Sequence, residues 1–158
     1  QAVKGRGAVR VAMQWTAGPH GGFTAGDPAV PVVADGPFAP EHVNVAAQRR
    51  DPGSLLNWTE LAIRTRKELP ELGWGAWQVL GTDHPGVLAH RCDWQGRGVL
   101  VVHNFSSDPA RVAVDLGDDV EPGRPMPDLF ADRRYDRAAT GEPLELARFG
   151  YRWLRLPG

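Results

Sequence analysis

The stretch from residue 16 to residue 50 places the strongest constraint on the fold, because glycine and proline recur along it and no helical or strand period survives. The residues concerned are Gly18, Pro19, Gly21, Gly22, Gly26, Pro28, Pro31, Gly36, Pro37 and Pro40. An irregular segment of this length is uncommon inside a compact domain, and such segments usually serve a function or lie against other protein. We therefore expect a long loop that packs on a surface outside this chain.

A helix is predicted directly after the loop, over residues 51–69. Asp51 is suited to cap its N-terminus and Pro52 to occupy its first position. Apolar residues recur at helical spacing and form one wide stripe: Leu55, Leu56, Trp58, Ala62 and Ile63. Pro70 and Gly73 are expected to end the helix. One helix cannot bury so wide an apolar face alone, so it requires a sheet or further helices.

The second half of the chain is predicted to be antiparallel β-structure, because short apolar stretches alternate with turn signals. The candidate strands are Ala76–Leu80, Gly86–Asp93, Gly98–Asn104, Arg111–Leu116, Pro127–Phe130 and Tyr151–Leu156. Short strands at this spacing are typical of a small antiparallel β-sandwich. The chain is therefore divided into a loop-and-helix part, 1–72, and a β part, 73–158.

Composition and charge argue against several classes of function. The net charge of -1 and the pI near 6.6 provide no basic surface for nucleic acid. Apolar runs are only a few residues long, so no membrane span is expected. Cys92 is the only cysteine, which favours a reducing, cytoplasmic location. No apolar segment follows Lys4 and Arg6, so a signal peptide is not expected.

The sequence offers no self-contained catalytic or metal motif. The histidines lack ligand spacing, so no metal site is predicted, and no cofactor is implied. There is no serine-hydrolase elbow and no phosphate-binding glycine loop. Glycosidic chemistry with retention needs two carboxylates about 5–5.5 Å apart. Asp27, Asp35 and Glu41 are the best of the available acids, but none follows a recognisable buried strand, so solvated surface is the preferred interpretation.

Four motifs in order carry a resemblance to a known family. They are Arg10–Trp15 (RVAMQW), Gly22–Thr24 (GFT), Val43–Gln48 (VNVAAQ) and Asp51–Lys67 (DPGSLLNWTELAIRTRK). In this order and at this spacing they resemble glycoside hydrolase family 13, the α-amylase family, and are most similar to its trehalose synthase and oligo-1,6-glucosidase branches. The resemblance covers about residues 8 to 80, and beyond them only the layout of strands is similar.

The resemblance implies an α+β fold for the chain as cut. Residues 1–72 would be the C-terminal end of a (β/α)8 catalytic barrel, with a long loop and the final helix, and residues 73–158 a small antiparallel β-sandwich. It also implies a parent enzyme that acts on α-glucosides by retaining hydrolysis or transglycosylation, which includes maltose–trehalose interconversion. The implied partners are a maltose-like sugar and the remainder of the barrel.

The catalytic acids that the resemblance implies lie on earlier barrel strands, and no position of this sequence matches them. No catalytic residue is therefore assigned. The positions that do match belong to a wall of the active-site cleft: Arg10, Gln14, Trp15 and Phe23. Arginine and glutamine can donate to sugar hydroxyls, and aromatic faces can stack on pyranose rings. Equally, Gln14 and Trp15 could simply anchor the loop. The segment reads RVAM where the family has RTPM, so a rigid proline is lost.

Two other interpretations stay open. The chain could be a stand-alone sugar-binding or accessory module, or a non-catalytic partner that completes a separately encoded barrel. Trp74 and Trp77, near the boundary between the two parts, are predicted to seal the β-sandwich to the barrel rather than to bind sugar.

Overall fold

The computed structural model describes residues 10–118 and 120–158. The expectation about Lys4 and Arg6 therefore lies outside the described residues. The chain clusters into two compact units that divide between Leu61 and Ala62. This division falls inside a helix and precedes the boundary predicted at residue 72, so the assignment of domains stays a prediction.

The first unit contains more regular structure than its sequence indicates. A 3-10 turn spans Pro19–Gly22, and helix α1 spans Val45–Gln48. Asn44 caps α1, because its side chain accepts a hydrogen bond from the Ala47 amide at 2.8 Å and donates to the Pro40 carbonyl at 2.8 Å. Helices of one turn leave no periodic signal, which is why the sequence predicted only loop here.

Helix α2 spans Leu55–Glu68, and its predicted start was wrong. The Asp51 carboxylate accepts a hydrogen bond from the Gly53 amide at 2.9 Å and closes a turn before the helix. Ser54 is the cap instead, since its hydroxyl oxygen accepts from the Asn57 amide at 3.2 Å. Pro52 is accordingly not the first helical residue. Helix α3, Glu71–Trp74, follows Pro70 and was not predicted.

The second unit is built from antiparallel β-structure, which confirms the predicted strand type. Its strands are β1 (Ala76–Leu80), β2 (Val87–Trp94), β3 (Arg97–Asn104), β4 (Ala110–Val112), β5 (Pro125–Met126), β6 (Asp128–Ala131), β7 (Ala138–Ala139), β8 (Leu144–Leu146) and β9 (Tyr151–Leu156). Among the described residues, one five-stranded sheet has the order β1-β2-β3-β9-β6, and β4 pairs with β8 and β5 with β7. Every pairing is antiparallel.

The predicted strand 111–116 is shorter than expected. It ends at Val112 because the Asp83 carboxylate accepts the Ala113 amide at 2.9 Å, and Val114 forms only an isolated bridge with Thr82. Strands β5, β7 and β8 were missed altogether, since two or three residues are too few to show alternation.

One hydrophobic core joins the three sheets of the second unit. Its buried members are Leu80, Val87, Ala89, Leu100, Val102, Ala110, Val112, Met126, Ala138, Leu144, Leu146, Leu154 and Leu156. Leu100 pairs with Leu154 in the β3–β9 register, so alternate residues of the large sheet point into this core. The second unit therefore has an apolar interior of its own.

Gly75 is required where α3 passes into β1. A Cβ built there would lie 2.4 Å from the Glu71 carbonyl oxygen and 2.8 Å from the Asp93 carbonyl oxygen, and both are backbone atoms that cannot turn away. We expect Gly75→Ala to lower the free energy of unfolding by about 1–3 kcal/mol, the usual cost of forced overpacking. Urea unfolding measures the change.

Gly81→Ala is the matched control, because the nearest atom to its added Cβ is the Asp115 Cβ at 3.8 Å. We expect it to change the free energy of unfolding by less than about 1 kcal/mol, as a substitution into ordinary contact should. Equal losses in the two variants would contradict the close approach assigned to Gly75.

Candidate functional site

The segment that carries Gln14 and Trp15 is held by its main chain. The Ala12 amide donates to the Pro31 carbonyl at 3.0 Å. The Gln14 and Trp15 carbonyls accept from the amides of Val45 and Ala46, each at 3.0 Å. The segment is thus fixed to the following loop and to the first turn of α1.

A turn at Gly21 fixes the same segment from the other side. The Gly21 carbonyl accepts from the Trp15 amide at 2.7 Å and from the Thr16 amide at 3.0 Å. Gly21 has a φ of 66°, and a Cβ there would lie 3.4 Å from the Gln14 Cα. The positive φ therefore favours glycine at this turn, where the chain passes back beside Gln14.

The side chains of the four predicted wall residues differ in their surroundings. The Gln14 amide nitrogen donates to the Phe38 carbonyl at 2.9 Å, so one of its donors is already engaged. Trp15 and Phe23 are 46% and 45% exposed, and Arg10 is exposed. The first unit therefore presents two aromatic side chains and a guanidinium group while the backbone beneath Trp15 is fixed. The role of these residues in sugar binding stays a prediction.

The three acids considered for catalysis are all exposed. Asp27, Asp35 and Glu41 lie in irregular segments of the first unit, and their carboxylates make no hydrogen bond or ion pair with the described residues. No cluster of three or more metal-ligating side chains occurs in the described part of the chain. Among the same residues, no helix has the length and apolarity needed to cross a membrane.

A buried carboxylate in the second unit was not singled out from the sequence. The Glu71 side chain is fully buried, accepts a hydrogen bond from the Arg155 guanidinium and lies 3.3 Å from Arg97 Nε. Its other oxygen is buried without a hydrogen-bond partner among the described residues. These contacts join α3 to β3 and β9, two neighbouring inner strands of the large sheet.

Electrostatics keep Glu71 ionised. Burial alone would raise the pKa of its carboxyl group. The hydrogen bonds from its own backbone amide and from Arg155, together with the charges of Arg155 and Arg97, outweigh burial and lower that pKa below its ordinary value. The carboxylate is therefore charged at neutral pH, and its attraction to the two guanidinium groups stabilises the folded state.

A depression of about 360 Å³ with a mixed polar and apolar lining lies beside Glu71 in the second unit. It is lined by Glu71, Leu72, Gly73, Gly75, Trp77, Val79, Leu88, His90 and Cys92. Trp77 is 69% exposed, and Trp74 in the adjoining helix is 76% exposed. Exposed apolar surface of this kind marks sites of contact with other protein.

Comparison with known proteins places this geometry in a family. A model described as the sucrose hydrolase-like C-terminal domain matches residues 96–155. Trehalose synthase from Pimelobacter sp. (strain R48) is 34% identical over 161 residues, which cover 96% of this chain and 27% of that protein. Oligo-1,6-glucosidase from Halalkalibacterium halodurans is 36% identical over 102 residues, which cover 65% of this chain and 18% of that protein.

The chain is homologous to the C-terminal region of glycoside hydrolase family 13 enzymes. The structure agrees with this assignment. Trehalulose synthase MutB from Pseudomonas mesoacidophila MX-45 superimposes with a TM-score of 0.74 at 26% identity, over 94% of this chain and 25% of that one. The family resemblance predicted from the sequence motifs is confirmed. The chain spans about a quarter of the length of the relatives that align with nearly all of it.

The stability of this family 13 domain should depend on pH through Glu71. Its pKa is lowered in the folded state, so its stabilising contribution is present above the ordinary value of 4.5 and is lost as the pH falls through the folded pKa. We expect the free energy of unfolding, measured in urea from about pH 6 to about pH 3, to fall less steeply in Glu71→Gln than in the unmodified chain.

Glu142→Gln serves as the control, because Glu142 is an exposed carboxylate of the same unit. It should leave the slope of stability against pH unchanged. Part of the slope will persist in Glu71→Gln, since the pKa of Asp132 is also lowered: hydrogen bonds from Tyr135, Tyr151 and Arg133 outweigh the effect of its burial. Identical slopes for Glu71→Gln and the unmodified chain would show that Glu71 is not linked to folding.

Proposed function

We propose that this chain is the C-terminal part of an enzyme that acts on α-glucosides by retaining hydrolysis or transglycosylation, with maltose–trehalose interconversion as the favoured reaction. In this proposal the chain supplies one wall of the sugar cleft and a β-domain, and the catalytic acids belong to other parts of the enzyme. The observation that carries the proposal is the Trp15 segment, whose backbone is fixed on both sides while its aromatic side chain is left accessible.

The chemistry of the proposed wall suits a neutral sugar. Indole and phenyl faces stack on the apolar faces of pyranose rings. Trp15 and Phe23 are already partly exposed, so a sugar could reach them without a large rearrangement. The Arg10 guanidinium and the second amide hydrogen of Gln14 can donate to hydroxyl groups. A fixed backbone also keeps down the conformational entropy lost on binding.

The proposed fold follows from the apolar surfaces of each part. We propose that α2 is the last helix of the barrel, since Leu55, Trp58 and Ile63 on its apolar stripe remain exposed among the described residues. The antiparallel sheets of the second unit would form the β-sandwich behind it. Trp74 and Trp77 would seal that domain to the barrel, as their exposure allows.

The names of two relatives support α-glucosides as the proposed substrate class. The relative that aligns with 96% of this chain is a trehalose synthase, and another is named trehalose synthase/amylase in Mycobacterium tuberculosis, with 37% identity over 117 residues. A stand-alone accessory module is not favoured, because the similarity includes the loop and helix of the first unit as well as the β part. A longer protein that carries this chain is the expected enzyme.

Replacement of Trp15 in that longer enzyme tests the proposal. Aromatic contacts contribute about 0.5–1.5 kcal/mol beyond the burial of their area, so Trp15→Ala should lower kcat/KM for maltose about tenfold. Steady-state kinetics on maltose, together with thermal unfolding to confirm the fold, measure the effect.

Trp94→Ala is the matched control, since Trp94 is a partly exposed tryptophan at the β2–β3 hairpin of the second unit. It should leave kcat/KM within about twofold of the unmodified enzyme. An enzyme that turns over no α-glucoside would refute the proposed reaction. Full activity in Trp15→Ala would refute the proposed wall while leaving the family assignment intact.

A further inference from the structure

A cleft of about 690 Å³ in the second unit is lined by several arginines and lies apart in sequence from the Arg10–Phe23 wall. It lies among segments 109–111, 133–136 and 145–148, and its charged lining residues are Arg111, Arg133, Arg134, Arg148, Asp136 and Glu145. The lining thus contains four arginines and two acidic residues, in a chain whose net charge is -1. The local excess of positive charge is not a consequence of composition.

Three of these arginines are not neutralised by the protein. Arg133 pairs with Asp132 at 3.1 Å, but Arg111, Arg134 and Arg148 make no ion pair or side-chain hydrogen bond with the residues that the structure describes. Arg111 stands opposite Glu145 in the β4–β8 register and still forms no ion pair with it. Each guanidinium therefore keeps its full set of donors for a ligand.

Hydrogen bonds through Tyr135 link the two segments that carry Arg134 and Arg148. The Tyr135 hydroxyl donates to the Asp132 carboxylate at 2.7 Å and accepts from the Ala147 amide at 2.9 Å. A Cβ at Gly150 would lie 2.7 Å from that hydroxyl oxygen, so glycine is needed for this contact. Arg134 and Arg148 are the chain neighbours of Tyr135 and Ala147, so the hydrogen bond from the Ala147 amide links the two segments that carry them.

The residues that line the cleft set more requirements on a ligand than negative charge. Guanidinium groups match the oxygens of a phosphate in pairs of parallel hydrogen bonds. The carboxylates of Asp136 and Glu145 would repel a molecule that is anionic throughout, but they can accept hydrogen bonds from hydroxyl groups. Pro109 adds an exposed apolar side chain to the lining. A ligand that suits all three features has one phosphate on a hydroxylated body.

We propose that this cleft binds a phosphorylated saccharide, with Arg111, Arg134 and Arg148 around the phosphate and with Asp136 and Glu145 accepting from sugar hydroxyls. The site goes beyond the proposed function, since no residue of the Arg10–Phe23 wall lines it. Its volume suits a sugar phosphate with room for ordered water.

Calorimetric titration of the full chain with glucose 6-phosphate, inorganic phosphate and glucose tests this proposal. We expect glucose 6-phosphate to bind more tightly than inorganic phosphate and glucose to give no saturable heat. The triple variant R111Q/R134Q/R148Q should weaken glucose 6-phosphate at least tenfold. The matched control R49Q/R50Q/R64Q removes the same charge from exposed positions outside the cleft and should leave the affinity unchanged.

A second variant keeps the charge and changes only the geometry. Arg148→Lys should weaken glucose 6-phosphate severalfold, because an ammonium group cannot form the paired hydrogen bonds of a guanidinium. An equal loss of glucose 6-phosphate affinity in both triple variants would show that only net charge matters, and it would overturn the proposal. It would also be overturned by equal affinity for inorganic phosphate, by the absence of binding in the unmodified chain, or by tighter binding of an oligoglutamate peptide, which would indicate a protein partner.

Discussion

The exposed apolar stripe of α2 is the surface on which the proposed place of this chain in a larger enzyme depends. Burying a leucine or isoleucine side chain contributes about 1.5–3 kcal/mol, and Leu55 and Ile63 are still 70% and 51% exposed. The second unit, by contrast, closes its own core between Leu100, Leu154 and the small sheets. A β-domain with its own core, preceded along the chain by a helix whose apolar stripe is exposed among the described residues, is what the proposed larger enzyme predicts.

The two units differ in the polar interactions that they contain. In the first unit, main-chain hydrogen bonds fix the Trp15 segment while the Trp15 side chain stays partly exposed. In the second unit, charges serve two purposes. Glu71 is buried against Arg155 and stabilises the fold, whereas Arg111, Arg134 and Arg148 in the cleft have no ion-pair partner among the described residues. Buried charges require such partners, while exposed guanidinium groups do not.

The sequence predicted those elements whose local signals agree with one another. Strands β1 and β9 have the bounds that were predicted, because turn residues or a glycine precede an apolar or alternating stretch in each case. The start of α2 was predicted wrongly because Asp51 and Ser54 are both good caps, and only the turn closed by the Gly53 amide decides between them. The family resemblance rested on the order of four sequence motifs, so it did not depend on the exact bounds predicted for each helix or strand.

The sites of the second unit could not be found in the same way. Arg111, Arg134 and Arg148 are far apart in the sequence and share no motif, so only the fold brings them to one cleft. Glu71 resembles an ordinary residue near a helix end until its burial beside Arg155 is known. For the first unit, the assignment of Arg10, Gln14, Trp15 and Phe23 to a cleft wall stays a prediction, and the sequence did not indicate the turn at Gly21 that fixes the Trp15 amide.

The claim that this chain completes a larger enzyme is tested most directly by hydroxyl-radical footprinting of its tryptophans, alone and within the longer protein. Trp58, Trp74 and Trp77 are exposed among the described residues and lie on the surfaces assigned to the barrel contact. Their oxidation should fall at least fivefold in the longer protein, while oxidation of Trp94 at the β2–β3 hairpin should change little. Equal oxidation of all four tryptophans in the two samples would contradict the account.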